Sequence, residues 1–157
     1  MGQILDTAIS FFREDGWSFT QLEEQPILKL GFQGESGQWS CYAQAREEQA
    51  QLLFYSICPV KAPEDRRAAV AEFLTRANYG LFIGNFELDF GDGEIRYKTS
   101  LDVEGDRLSP ALVKPLVYAN VLMMDRYLPG MMTVIYGHVA PAEAVTSVEG
   151  TASRAED

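Results

Sequence analysis

The fold of this chain is decided by the stretch FELDFGDGEIRYKT, residues 86–99. Asp92-Gly93 has the composition of a two-residue type I′ turn, and apolar residues alternate with charged ones on both sides of it. Pairing about that turn gives three pairs on one face: Phe90 with Ile95, Leu88 with Tyr97, and Phe86 with Thr99. It gives two opposite-charge pairs on the other face: Asp89 with Arg96, and Glu87 with Lys98. We therefore predict a β-hairpin with one dry face and one face in water.

Strand-like sequence also precedes this hairpin. Four segments have the pattern: Trp17–Leu22, Pro26–Gln33, Gln38–Arg46 and Gln51–Cys58. The link 34–37 is rich in turn residues, and a two-residue loop within it places Leu28, Leu30 and Phe32 on the same face as Trp39, Cys41 and Ala43. A loop near Glu48-Gln49 likewise places Ala43 and Ala45 with Leu52 and Phe54. These parities agree, so we predict an antiparallel meander.

Helical patterns flank the strands. Residues 3–14 carry a broad apolar face that ends at Asp15-Gly16, where Gly16 suits a left-handed cap. A second helix starts at Pro63 and presents an i, i+3, i+4, i+7 stripe of apolar residues: Val70, Phe73, Leu74 and Ala77. Together the patterns predict an α+β fold in which a meander plus a hairpin pack against helices.

The carboxyl-terminal third is predicted to be mostly helical. Ser109-Pro110 has the composition of an N-cap and first turn. Because Pro115 lacks an amide donor, either this first turn is distinct or the main helix begins near Lys114. Apolar residues cover much of its circumference up to Leu128, so we expect it to be buried on more than one side. Pro129-Gly130 should end or kink it, residues 131–136 add apolar turns, and Pro141 starts a short last helix.

Length and charge limit the possible classes. The 157 residues suffice for one domain, which we assign to residues 1–149, and the small polar segment 150–157 is predicted to be a disordered tail. The net charge of −10 disfavours nucleic acid and anionic membranes as partners. No apolar run approaches the roughly 20 residues of a membrane helix.

Residues suited to catalysis or metal binding are sparse. The single histidine, His138, has no partner that the sequence identifies. The acidic run 102–106 has alternating oxygen ligands but carries Arg107 where a calcium loop needs glycine and Val113 where it needs a bidentate glutamate. Cys41 and Cys58 are most simply two buried, reduced thiols of a cytoplasmic protein, although a disulfide between neighbouring strands stays open. We expect no enzyme, no metal and no cofactor.

One strand is apolar on both faces. Leu52 and Phe54 point one way, whereas Leu53, Tyr55 and Ile57 point the other. Either helix 1 or the carboxyl-terminal turns cover the second face, or that face is an exposed surface for a partner. Tyr42 on the preceding strand should lie near Tyr55, and Met123 and Met131 could line an adaptable groove. The candidate binding residues are Tyr42, Leu53, Tyr55, Ile57, Met123 and Met131.

Several stretches resemble the YbjN family. They are residues 66–78, FELDF at 86–90, IRY at 95–97, DRYLPG at 125–130, and GHVAPAEA at 137–144, where Ala142 replaces the first glutamate of the family's ending. The family is described as bacterial regulators of sensory transduction and is similar in fold to type III secretion chaperones. The resemblance implies a cytoplasmic α+β protein that acts by binding and is often dimeric, with no active site to carry over.

Two hypotheses for function follow. The first is a non-enzymatic protein-binding module, chaperone-like or regulatory, that holds a client segment or a second copy through an apolar sheet or helix surface. The alternative is a small-ligand sensor whose pocket lies between the sheet and the long helix, lined by Trp39, Tyr97 and Met123. Co-purifying polypeptides would favour the first hypothesis, and ligand-induced thermal stabilisation would favour the second.

Overall fold

The structure, a computed structural model, describes the backbone of residues 2–156 and the side chains of residues 2–150. The helices are α1 (Gln3–Glu14), α2 (Arg67–Tyr79, preceded by a 3-10 turn at Glu64–Arg66), α3 (Pro110–Ile135) and α4 (Pro141–Glu156). The strands are β1 (Phe19–Gln21), β2 (Ile27–Gln33), β3 (Gln38–Arg46), β4 (Gln51–Ile57), β5 (Asn85–Leu88) and β6 (Ile95–Asp102). The α+β class predicted from the sequence is confirmed.

The described strands form one antiparallel sheet in the order β1-β2-β3-β4-β6-β5. The faces predicted for the meander are confirmed, and the structure fixes the registers that the sequence left open: Phe32 pairs with Trp39, and Ala43 pairs with Phe54. α2 connects β4 to the far edge strand β5, and the chain returns through β6 to lie beside β4. The sheet therefore has β1 and β5 at its edges.

The predicted register of the second hairpin is wrong by two residues. Leu88, not Phe90, pairs with Ile95, and Phe86 pairs with Tyr97 rather than Thr99. Glu87 lies opposite Arg96, a position predicted for Asp89. A shift of two residues keeps every side chain on its predicted face, because side chains alternate with period two. The alternation of apolar and charged residues therefore could not distinguish the two registers.

A longer connection, residues 89–94, replaces the predicted two-residue turn. The Asp89 carboxylate accepts a hydrogen bond from the Gly91 amide (2.7 Å), and Asp92 accepts one from Glu94 (2.9 Å). The segment before α2 holds this loop, because the Ala62 amide donates to the Gly93 carbonyl at 2.8 Å and the Arg67 guanidinium donates to the Phe90 carbonyl. Gly93 has a φ of +85° and lies against the Ala62 backbone, so only glycine fits there. These contacts to a distant segment select the observed register.

The long helix α3 begins at Pro110 and continues through Pro115, so the predicted break near Lys114 is wrong, whereas the predicted N-cap and first turn are confirmed. Ser109 is its N-cap and accepts a hydrogen bond from the Leu112 amide, and Pro110 is the first helical residue. The prediction that Pro129-Gly130 ends the helix is wrong, because α3 continues to Ile135. Leu128, Gly130 and Met131 are buried at this point, and packing on both sides offsets the missing proline amide. A Cβ on Gly130 would lie 2.8 Å from both Phe73 and Val148, so glycine lets α2 and α4 approach closely.

Three carboxylates connect the helices to the sheet and its loops. Glu47, in the β3–β4 loop, accepts hydrogen bonds from the Ile4 and Leu5 amides at the start of α1 (3.1 and 2.9 Å). Asp125 of α3 accepts bonds from the Glu35 and Ser36 amides of the β2–β3 turn (3.0 and 2.7 Å). Asp15 accepts bonds from Tyr118 and Trp17, and these bonds lower the pKa of its carboxyl group. Backbone amides at a helix start and in a turn thus donate hydrogen bonds to carboxylates that are distant in the sequence.

The hydrophobic core lies on one side of the sheet only. Leu30, Cys41, Ser56, Tyr97 and Phe86 occupy consecutive strands, are buried, and face the helices. Both cysteines are buried there as free thiols and do not form the disulfide that the sequence left open. Burial raises the pKa of Cys41 to about 12 and that of Cys58 to about 11. The predicted disordered segment 150–157 falls almost wholly outside the described side chains and stays a prediction.

Candidate functional site

The opposite side of the sheet, which we call the open face, carries no helix within residues 2–150. Its side chains alternate with those of the core, and those on β4 (Leu53, Tyr55 and Ile57) are half-buried and absent from the hydrophobic cluster that the helices cover. The suggestion that helix 1 or the carboxyl-terminal turns cover this face is therefore wrong. Both elements pack against the core side instead.

A row of four side chains crosses the centre of the open face. Cross-strand pairing places Lys29 beside Tyr42, Tyr42 beside Tyr55, and Tyr55 beside Lys98. Both tyrosines are half-buried, while Lys29 is exposed. Two aromatic rings are thus flanked by an ammonium group on each side, and neighbouring strands lie about 4.8 Å apart.

Ion pairs and a ring contact fix one end of this row. The Arg96 guanidinium carbon lies 4.4 Å from the centre of the Tyr55 ring, a cation–π contact. Glu87 accepts a hydrogen bond from Arg96 Nε (2.7 Å) and another from Lys98 Nζ (3.0 Å). Desolvation acts to raise the pKa of Glu87, but the bonds from Lys98 and Arg96 outweigh it and lower that pKa. One carboxylate therefore sits between two cations on this face.

The structure brings together four of the six predicted binding residues. Tyr42, Leu53, Tyr55 and Ile57 lie on adjacent strands of the open face. Met131 is 0% exposed in the core, and Met123 packs against the core from α3, so both methionines lie on the other side of the sheet. The binding residues predicted from the sequence did not include Lys29, Lys98 and Arg96, which lie on the same face. The alternation along the strands could have identified them, because it puts them on the same face of the sheet as Tyr42 and Tyr55.

The charge of the open face is opposite to that of the whole chain. Its strand residues include four of the 13 basic side chains (Lys29, Arg46, Arg96 and Lys98) but only two of the 23 acidic ones (Glu87 and Asp102). The chain as a whole carries −10. A basic patch with aromatic rings on an acidic protein attracts anionic groups locally and repels them elsewhere.

Two open hollows border this face. One, of about 360 Å³, lies at the β5–β6 end and is lined by Glu87, Leu88, Asp89, Phe90, Glu94 and Arg96. The other, of about 560 Å³, lies at the β2–β3 hairpin and includes Trp39. Tyr97 is fully buried and its hydroxyl donates to the Ile83 carbonyl at 2.5 Å. Trp39 and Tyr97 thus serve as core side chains, and this geometry gives the small-ligand alternative no support.

A second exposed apolar surface lies between α2 and β5. Tyr79 is 96% exposed, Phe82 is 98% exposed, and Ile83 is more than half exposed. The segment is anchored, because the Asn78 side chain exchanges two hydrogen bonds with the Phe86 backbone (2.7 and 3.1 Å). These bonds occupy main-chain groups of the edge strand β5, so this edge offers side chains rather than backbone to a partner.

Acidic and nucleophilic residues are scattered. Among the residues that the structure describes, no three His, Cys, Asp or Glu side chains gather in a way that could hold a metal ion. His138 is exposed after α3, in a left-handed conformation with a φ of +52°. None of the described helices has the length and hydropathy to cross a bilayer.

Comparisons with known proteins agree with this geometry. The sequence profile of the YbjN family, described as "Putative bacterial sensory transduction regulator", matches residues 6–131. Among curated proteins, none matches the chain significantly.

Solved structures share the fold at low sequence identity. YbjN from E. coli superposes with a TM-score of 0.58 and 15% identity, covering 75% of this chain and 86% of that one. The ExsC–ExsE complex gives a TM-score of 0.58 and 13% identity, covering 82% and 96%. The HopA1–SchA chaperone–effector complex gives 0.48 and 17%, covering 78% and 88%. The superposition on ExsC, with a TM-score of 0.58, confirms the predicted likeness to the type III secretion chaperone fold.

Proposed function

The chain belongs to the YbjN family, and from this premise we propose that it is a non-enzymatic, chaperone-like or regulatory module that holds a client polypeptide segment on the open face of its sheet. The observation that carries the proposal is the set Tyr42, Leu53, Tyr55 and Ile57, which is largely apolar, only half-buried and uncovered by any helix within residues 2–150. A solvated sheet face normally carries polar side chains, so this set calls for a partner.

The side chains of the open face suit a protein partner. Tyrosine and arginine are enriched at the energetic centres of protein interfaces, because a large rigid ring buries much area at little cost in conformational entropy. Arg96 already stacks on Tyr55, so this pair is held in place before a client arrives. ExsC and SchA were each solved in complex with a protein partner, and this chain's likeness to ExsC is one of fold.

Capture from the native organism tests the proposal. The wild-type chain is compared with Tyr55→Glu, which places a charge on the open face, and with Leu122→Glu, which places the same charge on an exposed apolar position of α3. We expect proteins that co-purify with the wild type to be lost with Tyr55→Glu and kept with Leu122→Glu. A photo-crosslinker at position 55 should then label the same proteins.

The controls separate binding from stability. Leu122→Glu should unfold at nearly the wild-type denaturant concentration, and Tyr55→Glu should lose only about 1 kcal/mol of stability with its Arg96 contact, because both positions lie outside the core. Co-purification that survives Tyr55→Glu but fails in Leu122→Glu would move the binding site to the helices and contradict the proposal. A wild-type chain that retains no polypeptide would contradict it as well.

We also propose a contact between two copies at the segment 77–86. This segment has no charged residue, although 23% of the chain is charged. A two-fold interface brings identical surfaces together, so two chains of −10 meet most favourably where neither carries charge. Tyr79, Phe82 and Ile83 supply exposed apolar area at this position.

Light scattering tests this contact. We expect the wild type to be a dimer and Phe82→Ser to shift it toward the monomer, with Leu112→Ser as the control at another exposed apolar position. A wild type that stays monomeric at high concentration would overturn this contact.

A further inference from the structure

We propose that the open face selects acidic client segments with the pattern acid-x-apolar-x-acid, in an extended conformation that crosses the strands. The inference rests on the proposed function and adds the chemistry of the client. Its premise is the row Lys29, Tyr42, Tyr55 and Lys98, in which two cations flank two rings.

The charges on this face favour carboxylates. Lys29 is exposed, and within residues 2–150 it takes part in none of the observed ion pairs. Lys98 already accommodates one carboxylate, that of Glu87, at 3.0 Å. A client carboxylate at either end of the row would therefore meet an ammonium group, whereas a basic client would meet repulsion from Lys29, Arg46, Arg96 and Lys98. The hollow at the corner beyond Arg96 is lined by Glu87, Asp89 and Glu94. Glu87 is bonded to Lys98, so the Lys29 end is the more basic end of the row.

The spacing of the row sets the spacing of the client. Lys29 lies on β2 and Lys98 on β6, three strand intervals apart, which is about 14 Å. An extended segment advances about 3.3 Å per residue, so carboxylates at positions i and i+4 span about 13 Å. Residues i, i+2 and i+4 of an extended segment share one face, so the residue at i+2 lies over Tyr42 and Tyr55. An apolar residue there would bury both rings from water.

Short fluorescent peptides test the pattern by anisotropy. The first has the core Glu-Ser-Phe-Ser-Glu, the second replaces both glutamates by glutamine, and the third has the core Glu-Glu-Phe-Ser-Ser with the same composition as the first. At about 20 mM salt we expect the first to bind roughly tenfold more tightly than the second and several-fold more tightly than the third. Raising the salt to about 300 mM should reduce the preference to about twofold, because ions screen exposed charges.

Charge reversals connect the preference to the row. Lys29→Glu should weaken binding of the first peptide by roughly tenfold and that of the glutamine peptide by less than about twofold. Arg107→Glu makes the same change in net charge in the exposed loop after β6, and we expect it to leave both affinities within about twofold. Circular dichroism melting curves check that both variants fold.

The outcomes separate this inference from the proposed function. Equal affinity for the first two peptides, with both lost in Tyr55→Glu, would overturn the preference for acids and keep the open face as a client site. Equal affinity for the first and third peptides would overturn the extended spacing. Tighter binding of a single-stranded oligonucleotide than of any peptide, or no peptide binding at all, would overturn the inference together with its premise.

Discussion

The two faces of the sheet divide stability and recognition between adjacent residues. On β4, Phe54 is fully buried beneath the helices, while its neighbour Tyr55 lies on the open face under the Arg96 guanidinium. Under the helices three of the four core-facing β3 side chains are small (Cys41, Ala43 and Ala45), and α1 packs against this strand. The open face needs no such fit, so its tyrosines and long basic side chains are not required for the core. This difference makes it the better candidate for a binding surface.

The largest expected effect distinguishes these two neighbours. Phe54→Ala should lower the free energy of unfolding by about 3–5 kcal/mol, because it removes a ring from the core and leaves a cavity. Tyr55→Ala should lower it by about 1 kcal/mol through loss of the contacts with Arg96 and Tyr42. Urea denaturation of both variants measures the difference, and equal losses would mean that the open face is covered in solution.

A second test concerns the connection between the helices and the sheet. Asp125→Ala removes the acceptor for the Glu35 and Ser36 amides and should cost about 1–2 kcal/mol. Asp125→Asn keeps one acceptor oxygen and should lose about half as much. Hydrogen exchange at the Glu35 and Ser36 amides provides a local readout. Unchanged protection in Asp125→Ala would show that the turn is stable without this carboxylate.

A smaller effect is expected from the charges of the open face. The pKa of Glu87 lies below its ordinary value of 4.5, so its carboxylate adds stability at neutral pH that is lost as the pH falls through the lowered pKa. Glu87→Gln should therefore cost about 0.2–1 kcal/mol at pH 7 and less at pH 3. Denaturation at both pH values checks the sign. A difference that grows toward acid would contradict it.

The smallest effect tests the corrected hairpin register. Phe90 is 60% exposed in the loop 89–94, so Phe90→Ser should change the free energy of unfolding by less than about 0.5 kcal/mol. In the register predicted from the sequence, Phe90 would pair with Ile95 on the dry face and its loss would cost several-fold more. A matched Phe86→Ser variant should be strongly destabilised in either register, since Phe86 is buried.

The two hairpins show why some features were predictable. The faces of β2 and β3 were predicted correctly because each two-residue loop within the link 34–37 gives the same parity, although that argument left the exact register open. The β5–β6 register was not predictable, because Ala62 and Arg67 hold the loop from a distant segment. The binding residues were predicted in part: the alternation on β4 identified Leu53, Tyr55 and Ile57. It could not show that Met131 would be buried on the other side.

The amino-acid sequence by itself determined which residues share a face, where most strands and helices lie, and which family the chain resembles. These properties are local, because the side-chain periodicity of a strand or a helix can be recognised from consecutive residues. The tertiary structure alone decided which face the helices cover, how far α3 runs past Pro129, and which of two registers with the same parity forms. Each of these features depends on contacts between residues far apart in the chain. The local pattern of apolar and polar residues is compatible with every alternative, so it cannot distinguish them.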